Sequence, residues 1–497
     1  MGGIDKQCYK LSMIVSSSGF AKLKASLTEK IFFGHEPSAE LLAILLVYFV
    51  QGIVGLARLA ISFFLKDELG LSPAEVSALV GIAALPWMVK PLFGFISDGL
   101  PIFGYRRRPY LVLSGILGAL AWLALATVVH SPWAATLAIA LSSLSVAFSD
   151  VIVDSIVVER ARVESVGDAG SLQSLCWGTS AAGGLFTAYL SGWLLEHFST
   201  RTVFAVTAIF PLFVSLVAWS ISEARLTEPA NWSVVGNQLK HLRHAVTQKS
   251  IWLPTAFLFL WQATPTAESA FFFFTTNELG FAPEFLGRVR LVTSIASLLG
   301  VWVFQRFLKA VPFRVIFGWS TVISAVLGLS TLLLVTHTNR ALGISDQWFS
   351  LGDNLVLTVM GQIAFMPVLV LAARLCPPGV EATLFALLMS VVNLAGLLSY
   401  ESGAVLMHWF GITENNFSNL ALLVVITNLT TLLPLPLLGW LPGAEATPAA
   451  EPVETHLQPT TALELDSSAS KHLAQPFLPD LLTEFVSPPR EPEPVEE

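Results

Sequence analysis

Twelve apolar stretches, each long enough to cross a bilayer, follow one another along this chain with only short polar breaks between them. They fall at about 41–64, 75–97, 109–129, 133–158, 171–195, 202–221, 251–274, 284–304, 313–336, 354–375, 380–408 and 418–440. A bilayer core takes about 20 apolar residues in a helix. No water reaches that depth to satisfy backbone N–H and C=O groups, so such a segment crosses as a helix and closes its own hydrogen bonds. The expected fold is all-α, with twelve transmembrane helices in two six-helix halves. Composition agrees: 54% of residues are hydrophobic and only 12% charged, about half the usual charged share of roughly 25%.

The longest internal break divides the spans six and six. The expected organisation is an N-terminal segment 1–38, a first bundle 39–221, a central loop 222–250, a second bundle 251–440 and a tail 441–497. The first segment is polar and lacks an apolar core long enough for a cleaved signal peptide. The tail holds ten prolines and eleven acidic against two basic residues, a composition that stays disordered. It also supplies most of the chain's net charge of −8. The remainder is nearly balanced, which argues against nucleic acid as a partner. Cys8, Cys176 and Cys376 are scattered without metal spacing and are expected to behave as small hydrophobes; no metal or cofactor is implied.

Lysine and arginine stay on the cytoplasmic side of a membrane protein. With the N-terminus inside, that side receives the five N-terminal lysines, Arg106 to Arg108, Arg160, Arg162, Arg225, Lys240, Arg243, Lys249, Arg306, Lys309, Arg314 and Arg374. The other side receives Lys66, Arg201 and Arg340, with Arg288 and Arg290 at a helix start. Both termini are therefore expected in the cytoplasm. Small residues recur inside the spans, as in Gly178-Thr-Ser-Ala-Ala-Gly-Gly184, which suits close helix packing in lipid.

An ionisable side chain at bilayer depth costs roughly 2.5–3.5 kcal/mol on insertion scales, so it normally faces the bundle interior. Arg58, Lys90, Asp150, Asp154, Glu268 and Glu401 are so placed. Asp150 and Asp154 are four apart and share a helix face; two carboxylates there repel unless a cation or a proton intervenes. Arg58 and Lys90 are the cations of the same half. They either pair with those carboxylates to hold the half together, or take part in binding and proton coupling. Trp87 and Lys90 lie three apart on one face, offering a flat ring beside a cation. Pro86 and Pro91 bracket them and should bend the helix, freeing carbonyls inside the bundle. The run Phe271–Phe274 covers every side of a helix, so most of it is expected to face lipid.

Residues 94–108 combine Gly94-xxx-Asp98 with a triple arginine across a short loop. Asp98 would latch to Arg106 or Arg108, and Glu159 with Arg160, closing span 4, would act similarly or form a solvated pair. A weaker copy follows span 8, from Gly300 through Arg306 and Lys309 to Arg314. Two related halves suit transporters built from structural repeats.

The segment Leu85–Tyr110, with Phe148-Ser-Asp-Val-Ile-Val-Asp-Ser-Ile-Val-Val-Glu-Arg-Ala-Arg162, resembles the folate–biopterin transporter family of the major facilitator superfamily. Pro265, Thr276-Asn-Glu-Leu-Gly-Phe281 and Glu284-Phe-Leu-Gly287 add to a likeness covering about residues 40–440. Family motif positions carry over to Pro86, Trp87, Lys90, Gly94, Asp98, Arg106, Arg108, Pro109, Asp150, Asp154, Glu159 and Arg160. The resemblance implies uptake of a small-molecule substrate, a folate or a pterin, in a cyanobacterial plasma membrane or a plastid envelope. A monomer in lipid, with proton coupling through Asp150, Asp154 or Glu268, is the accompanying expectation. Other readings are a facilitator for another aromatic anion, a sensor on the same fold, and a prenyl-transferring enzyme using Asp150-xxx-Asp154. The last would need a second acidic cluster, which does not follow in the sequence.

Overall fold

The computed structural model describes residues 37–161, 166–225, 247–308, 311–375 and 381–442. The N-terminal segment up to residue 36, most of the central loop, and the tail from residue 443, with its apolar patch 477–485, lie outside the described residues. Ten helices are long and apolar enough to cross a membrane. The other two predicted spans are helical as well. Span 5 lies in Val166–His197, and span 7 is split into Lys249–Gln262 and Glu268–Phe273. The expected all-α, twelve-span architecture is the one observed.

Several spans are interrupted, and each interruption has a local cause. In span 7, Pro265 brings no N–H and disfavours helix at the residue before it. The backbone released there is taken up by span 11: Thr266 N–H donates to the Ser399 carbonyl at 3.2 Å, and Ser399 Oγ donates to the Thr264 carbonyl at 2.5 Å. In span 2 the helix tightens to a 3₁₀ turn over Leu85–Val89. Pro91 cannot donate to the Trp87 carbonyl four residues earlier, and Asn393 Nδ2 of span 11 donates to it instead at 3.0 Å. The α-helix is therefore interrupted where Pro86 and Pro91 were expected to bend it.

Both halves end their first span alike. Phe63-Phe64 leads to a π turn over Phe64–Glu68, and Phe273-Phe274 to one over Phe274–Glu278. Each continues as Glu-Leu-Gly-x-x-Pro, with Gly70 at φ 64° and Gly280 at φ 65° before the next helix starts on proline. This repeat, 210 residues apart, is clearer than the one after spans 2 and 8.

Packing within the first six spans includes Ile44, Val47, Leu111, Ile152 and Cys176, all buried. In the last six it includes Phe257, Phe317, Leu371 and Leu384. The phenylalanine run departs from expectation. Phe273 and Phe274 are wholly buried, and Phe272 meets Phe63 edge-on at 5.3 Å. The run sits where span 7 crosses the first half, so protein covers faces that lipid was expected to cover. Trp261 is tied to Thr321 Oγ1 at 2.9 Å and packs against Phe317.

Among the described residues, the hydrogen bonds joining the two halves lie at mid-span or toward the end opposite the termini. Lys66 Nζ donates to Asn277 Oδ1 at 2.8 Å, Tyr189 Oη to Glu284 Oε1 at 3.0 Å and Ser77 Oγ to the Tyr400 carbonyl at 2.9 Å. Spans 5 and 8 come closest at Gly192 and Gly287. A Cβ on Gly192 would lie 2.4 Å from the Pro283 carbonyl and 2.7 Å from Gly287 Cα. Backbone cannot yield there as a flexible side chain can. Gly192→Val is expected to force this end open. With Lys66→Cys and Asn277→Cys introduced as a cross-linking pair, disulfide yield in membranes should fall several-fold when Gly192→Val is added; an unchanged yield would show that the crossing tolerates bulk.

Candidate functional site

The charges at bilayer depth fall into two groups. The first lies wholly within spans 1, 2 and 4. Lys90 ion-pairs with Asp150, with side chains only 18% and 14% exposed. Its Nζ also stands 4.6 Å from the centre of the Trp87 ring, so the predicted shared face of Trp87 and Lys90 becomes a cation–π contact. Asp154, one turn beyond Asp150, accepts a hydrogen bond from Tyr48 Oη of span 1. One cation, two carboxylates and a buried phenol thus meet among apolar helices. Beside them Phe148 stacks on Phe93 at 4.9 Å and on Tyr110 at 5.2 Å, joining spans 2, 3 and 4.

The second group lies toward the end opposite the termini. Arg58 follows the break in span 1 at Val54 and Gly55. Arg290 of span 8 reaches that break: Nη1 and Nη2 each donate to the Gly55 carbonyl at 3.3 Å, and Nη1 also donates to Ser191 Oγ at 3.2 Å. Glu268, first residue of the second helix of span 7, accepts from Tyr400 Oη at 2.7 Å. Arg290 was expected at the aqueous start of its helix. It lies seven residues past Pro283, about 10 Å into the span at 1.5 Å per residue.

In the loop between spans 2 and 3 the backbone is held by a carboxylate from beyond span 6. Glu223, after span 6, accepts from the backbone N–H groups of Arg106, Arg107 and Arg108 at 2.5 to 3.3 Å. A carboxylate at a helix N-terminus satisfies orphan donors and the helix dipole together. Pro109 suits the same first turn. Arg108 Nε donates to the Ile221 carbonyl at 2.6 Å. Gly94 faces span 4 with room to spare, since a Cβ there would meet only Val151 at 3.8 Å. The side chains of Asp98, Glu159 and Arg160 lie outside the described residues. Sequence reasoning missed Tyr48, Asn393, Tyr400 and Ser191, neutral residues with no signal of their own, and Glu223, whose place after an apolar span was a usable hint.

Because Lys90 and Asp150 are both mostly buried, removing one strands the other. Breaking such a pair from one side costs on the order of 3 kcal/mol, while replacing both members by apolar residues is often near neutral. Lys90→Met is therefore expected to lower the thermal midpoint in detergent by more than Lys90→Met combined with Asp150→Leu. A double variant no more stable than the single one would remove the pair's structural coupling.

A profile of the BT1 family matches residues 51–458. The chain is 65% identical over 423 residues to the "Folate-biopterin transporter" of Synechocystis sp., covering 85% of this chain and 86% of that one. It is 33% identical over 404 residues to "Folate transporter 2" of Plasmodium falciparum, covering 81% and 88%. Among solved structures it resembles a D-xylose–proton symporter, with a TM-score of 0.60 at 13% identity over 82% of this chain and 98% of that one. The nucleoside transporter NupG gives 0.62 at 13% identity over 80% and 98%. At such identity the structural likeness speaks for the fold alone. With a family match over most of its length and relatives named as transporters, the chain is a multi-pass membrane transporter of the major facilitator fold, and it belongs to the BT1 family.

Proposed function

We propose that this protein carries a folate or a related pterin across a membrane by alternating access, toward the side that bears its termini. The observation that carries this reading is the 65% identity to the Synechocystis folate–biopterin transporter. The first charge group is compatible with it, since Trp87 offers a ring face and Asp150 and Asp154 offer acceptors to the amino edge of a pterin. The two bundles, 39–221 and 251–440, would move against each other as units. The hydrogen bonds at the end opposite the termini would break when that end opens. The distribution of lysine and arginine supports termini in the cytoplasm, and the likeness to the Synechocystis protein favours a cyanobacterial plasma membrane or a plastid envelope as the site. A facilitator for a different aromatic anion is the second reading.

Folate is a dianion at neutral pH. Entry into a negative-inside compartment is uphill by about 2.3 kcal/mol per charge per 100 mV, so uptake needs a coupled cation or exchange for another anion. In this proposal a proton is coupled, and of Asp150, Asp154 and Glu268 it is Asp154 that carries it. Lys90 already balances Asp150, so gaining or losing a proton at Asp154 changes the net charge of the group by one.

Uptake of labelled folic acid in cells lacking their own folate import is expected to rise as external pH falls and to collapse with an uncoupler. Asp154→Asn should reach the membrane at normal levels yet lose most uptake, with the remainder indifferent to pH. Wild-type uptake that ignores both pH and uncoupler would discard proton coupling. Absence of folate and pterin uptake by well-expressed protein would favour the second reading.

A further inference from the structure

Among the described residues, neither Arg58 nor Arg290 has a carboxylate partner. The described ion pairs are Lys66–Asp67, Lys90–Asp150, Arg201–Glu68, Arg288–Glu284 and Arg340–Asp346. Arg290 spends its donors on a carbonyl and a hydroxyl. The Arg58 side chain is exposed and makes no hydrogen bond among the described residues. The two arginines also meet at one carbonyl. Arg290 binds the Gly55 carbonyl, and that same carbonyl accepts the Arg58 backbone N–H at 3.2 Å. They lie within electrostatic reach of each other, and Arg58 within reach of Tyr400. The nearby acid, Glu268, is held by Tyr400 Oη. Glu401, next to Tyr400 in span 11, turns toward Gly81 of span 2, so neither acid engages a guanidinium at a depth where an unpaired charge is expensive. An arginine aimed at lipid would be dearer still, so this face belongs to the interior of the bundle.

Depth places this cluster away from the first group. Lys90 lies five residues past the centre of Pro73–Ser97, toward the termini. Arg290 lies about as far from the centre of Pro283–Leu308, toward the opposite end. At 1.5 Å per residue, with the span centres level, the two are separated by about 16 Å along the helix axes. The near level offers a ring face with its one lysine already neutralised. The far level offers two unneutralised guanidinium forks, the geometry that suits carboxylates.

We infer that Arg58 and Arg290 form an anion-binding pole that recognises the carboxylated tail of an elongated aromatic cargo, and so select folates over pterins that lack a carboxylate. The inference rests on the folate-or-pterin reading above and decides between its two members. Arg290, drawn from span 8 while Arg58 comes from span 1, makes the pole complete only when the halves are together at that end.

The test compares uptake of labelled folic acid and labelled biopterin by wild type, Arg58→Gln and Arg290→Gln, at matched membrane levels. Wild type should take up folic acid in preference. Each variant should lose at least about tenfold more of its folic acid uptake than of its biopterin uptake, the scale of one charged hydrogen bond. Equal loss of both cargoes, or a wild type that prefers biopterin, would overturn the inference. A measurement on purified wild type needs no variant. p-Aminobenzoylglutamate, the tail without the pterin, should raise its thermal midpoint, and the dimethyl ester should not. No stabilisation, or equal stabilisation by the ester, would also overturn it. Stabilisation by the free acid in a protein that takes up neither cargo would sink the transport reading and leave the anion pole standing.

Discussion

Inside a bilayer, a backbone group or charge that finds no partner in the protein finds none at all, and the irregular points of this structure are organised around that constraint. Pro91 deprives the Trp87 carbonyl of its donor and Asn393 supplies one. Pro265 breaks span 7 and Ser399 takes up the loose ends. The break at Gly55 is closed by Arg290. In each case the repair comes from a different span, so a local defect becomes a long-range contact. Two of the three repairs, at Trp87 and at Gly55, join one half to the other. A transporter must undo such contacts once per cycle, and bonds of about 0.5–1.5 kcal/mol net each are strong enough to define a state without trapping it.

The same constraint sorts the charges. Lys90 and Asp150 neutralise one another within a single half and can travel together through any movement of that half. Their attraction need not change as the halves rock, which makes them a fixed element rather than a latch between halves. Asp154, with Tyr48 as its hydrogen-bond partner, is the member whose charge is not balanced by a lysine of its own. Arg58 and Arg290 are the reverse case, two cations on opposite sides of the seam.

Much of this was legible in the chain. The spans follow from length and hydropathy. The shared face of Trp87 and Lys90, and that of Asp150 and Asp154, follow from helical spacing, and both faces carry contacts in the structure. The interruption at Pro86 and Pro91 follows from a missing N–H. What could not be read was partnership across spans: Tyr48, Asn393 and Tyr400 are unremarkable until another helix is brought against them. Arg290 was assigned to the aqueous end because charge near a helix start is usually solvated, and only the neighbouring carbonyl of Gly55 shows otherwise. The phenylalanine run misled for a related reason, since an apolar face is equally content with lipid or with protein. The repeat that starts at Phe63 and Phe273 was present in the letters, and it marks the pseudo-symmetry more plainly than the basic loops do.

The position of the two arginines also bears on how cargo could drive closure. A ligand shifts a conformational equilibrium only through a difference in its affinity for the two states. Arg58 and Arg290 meet across the seam between halves, so in the empty carrier their mutual repulsion opposes closure at that end, and the bond from Arg290 to Gly55 and Ser191 offsets it. An anion seated between them reverses the sign, because it attracts both and does so only when both are near. Its binding energy is then realised mainly in the closed arrangement, which is the condition for the loaded carrier to close more readily than the empty one. Moving from 1:99 to 99:1 requires about 5.5 kcal/mol of such preference. Two guanidinium–carboxylate contacts of about 1.5–3 kcal/mol each are of that order. A neutral pterin, lacking the anion, would find the same seam and have no comparable means of drawing it shut.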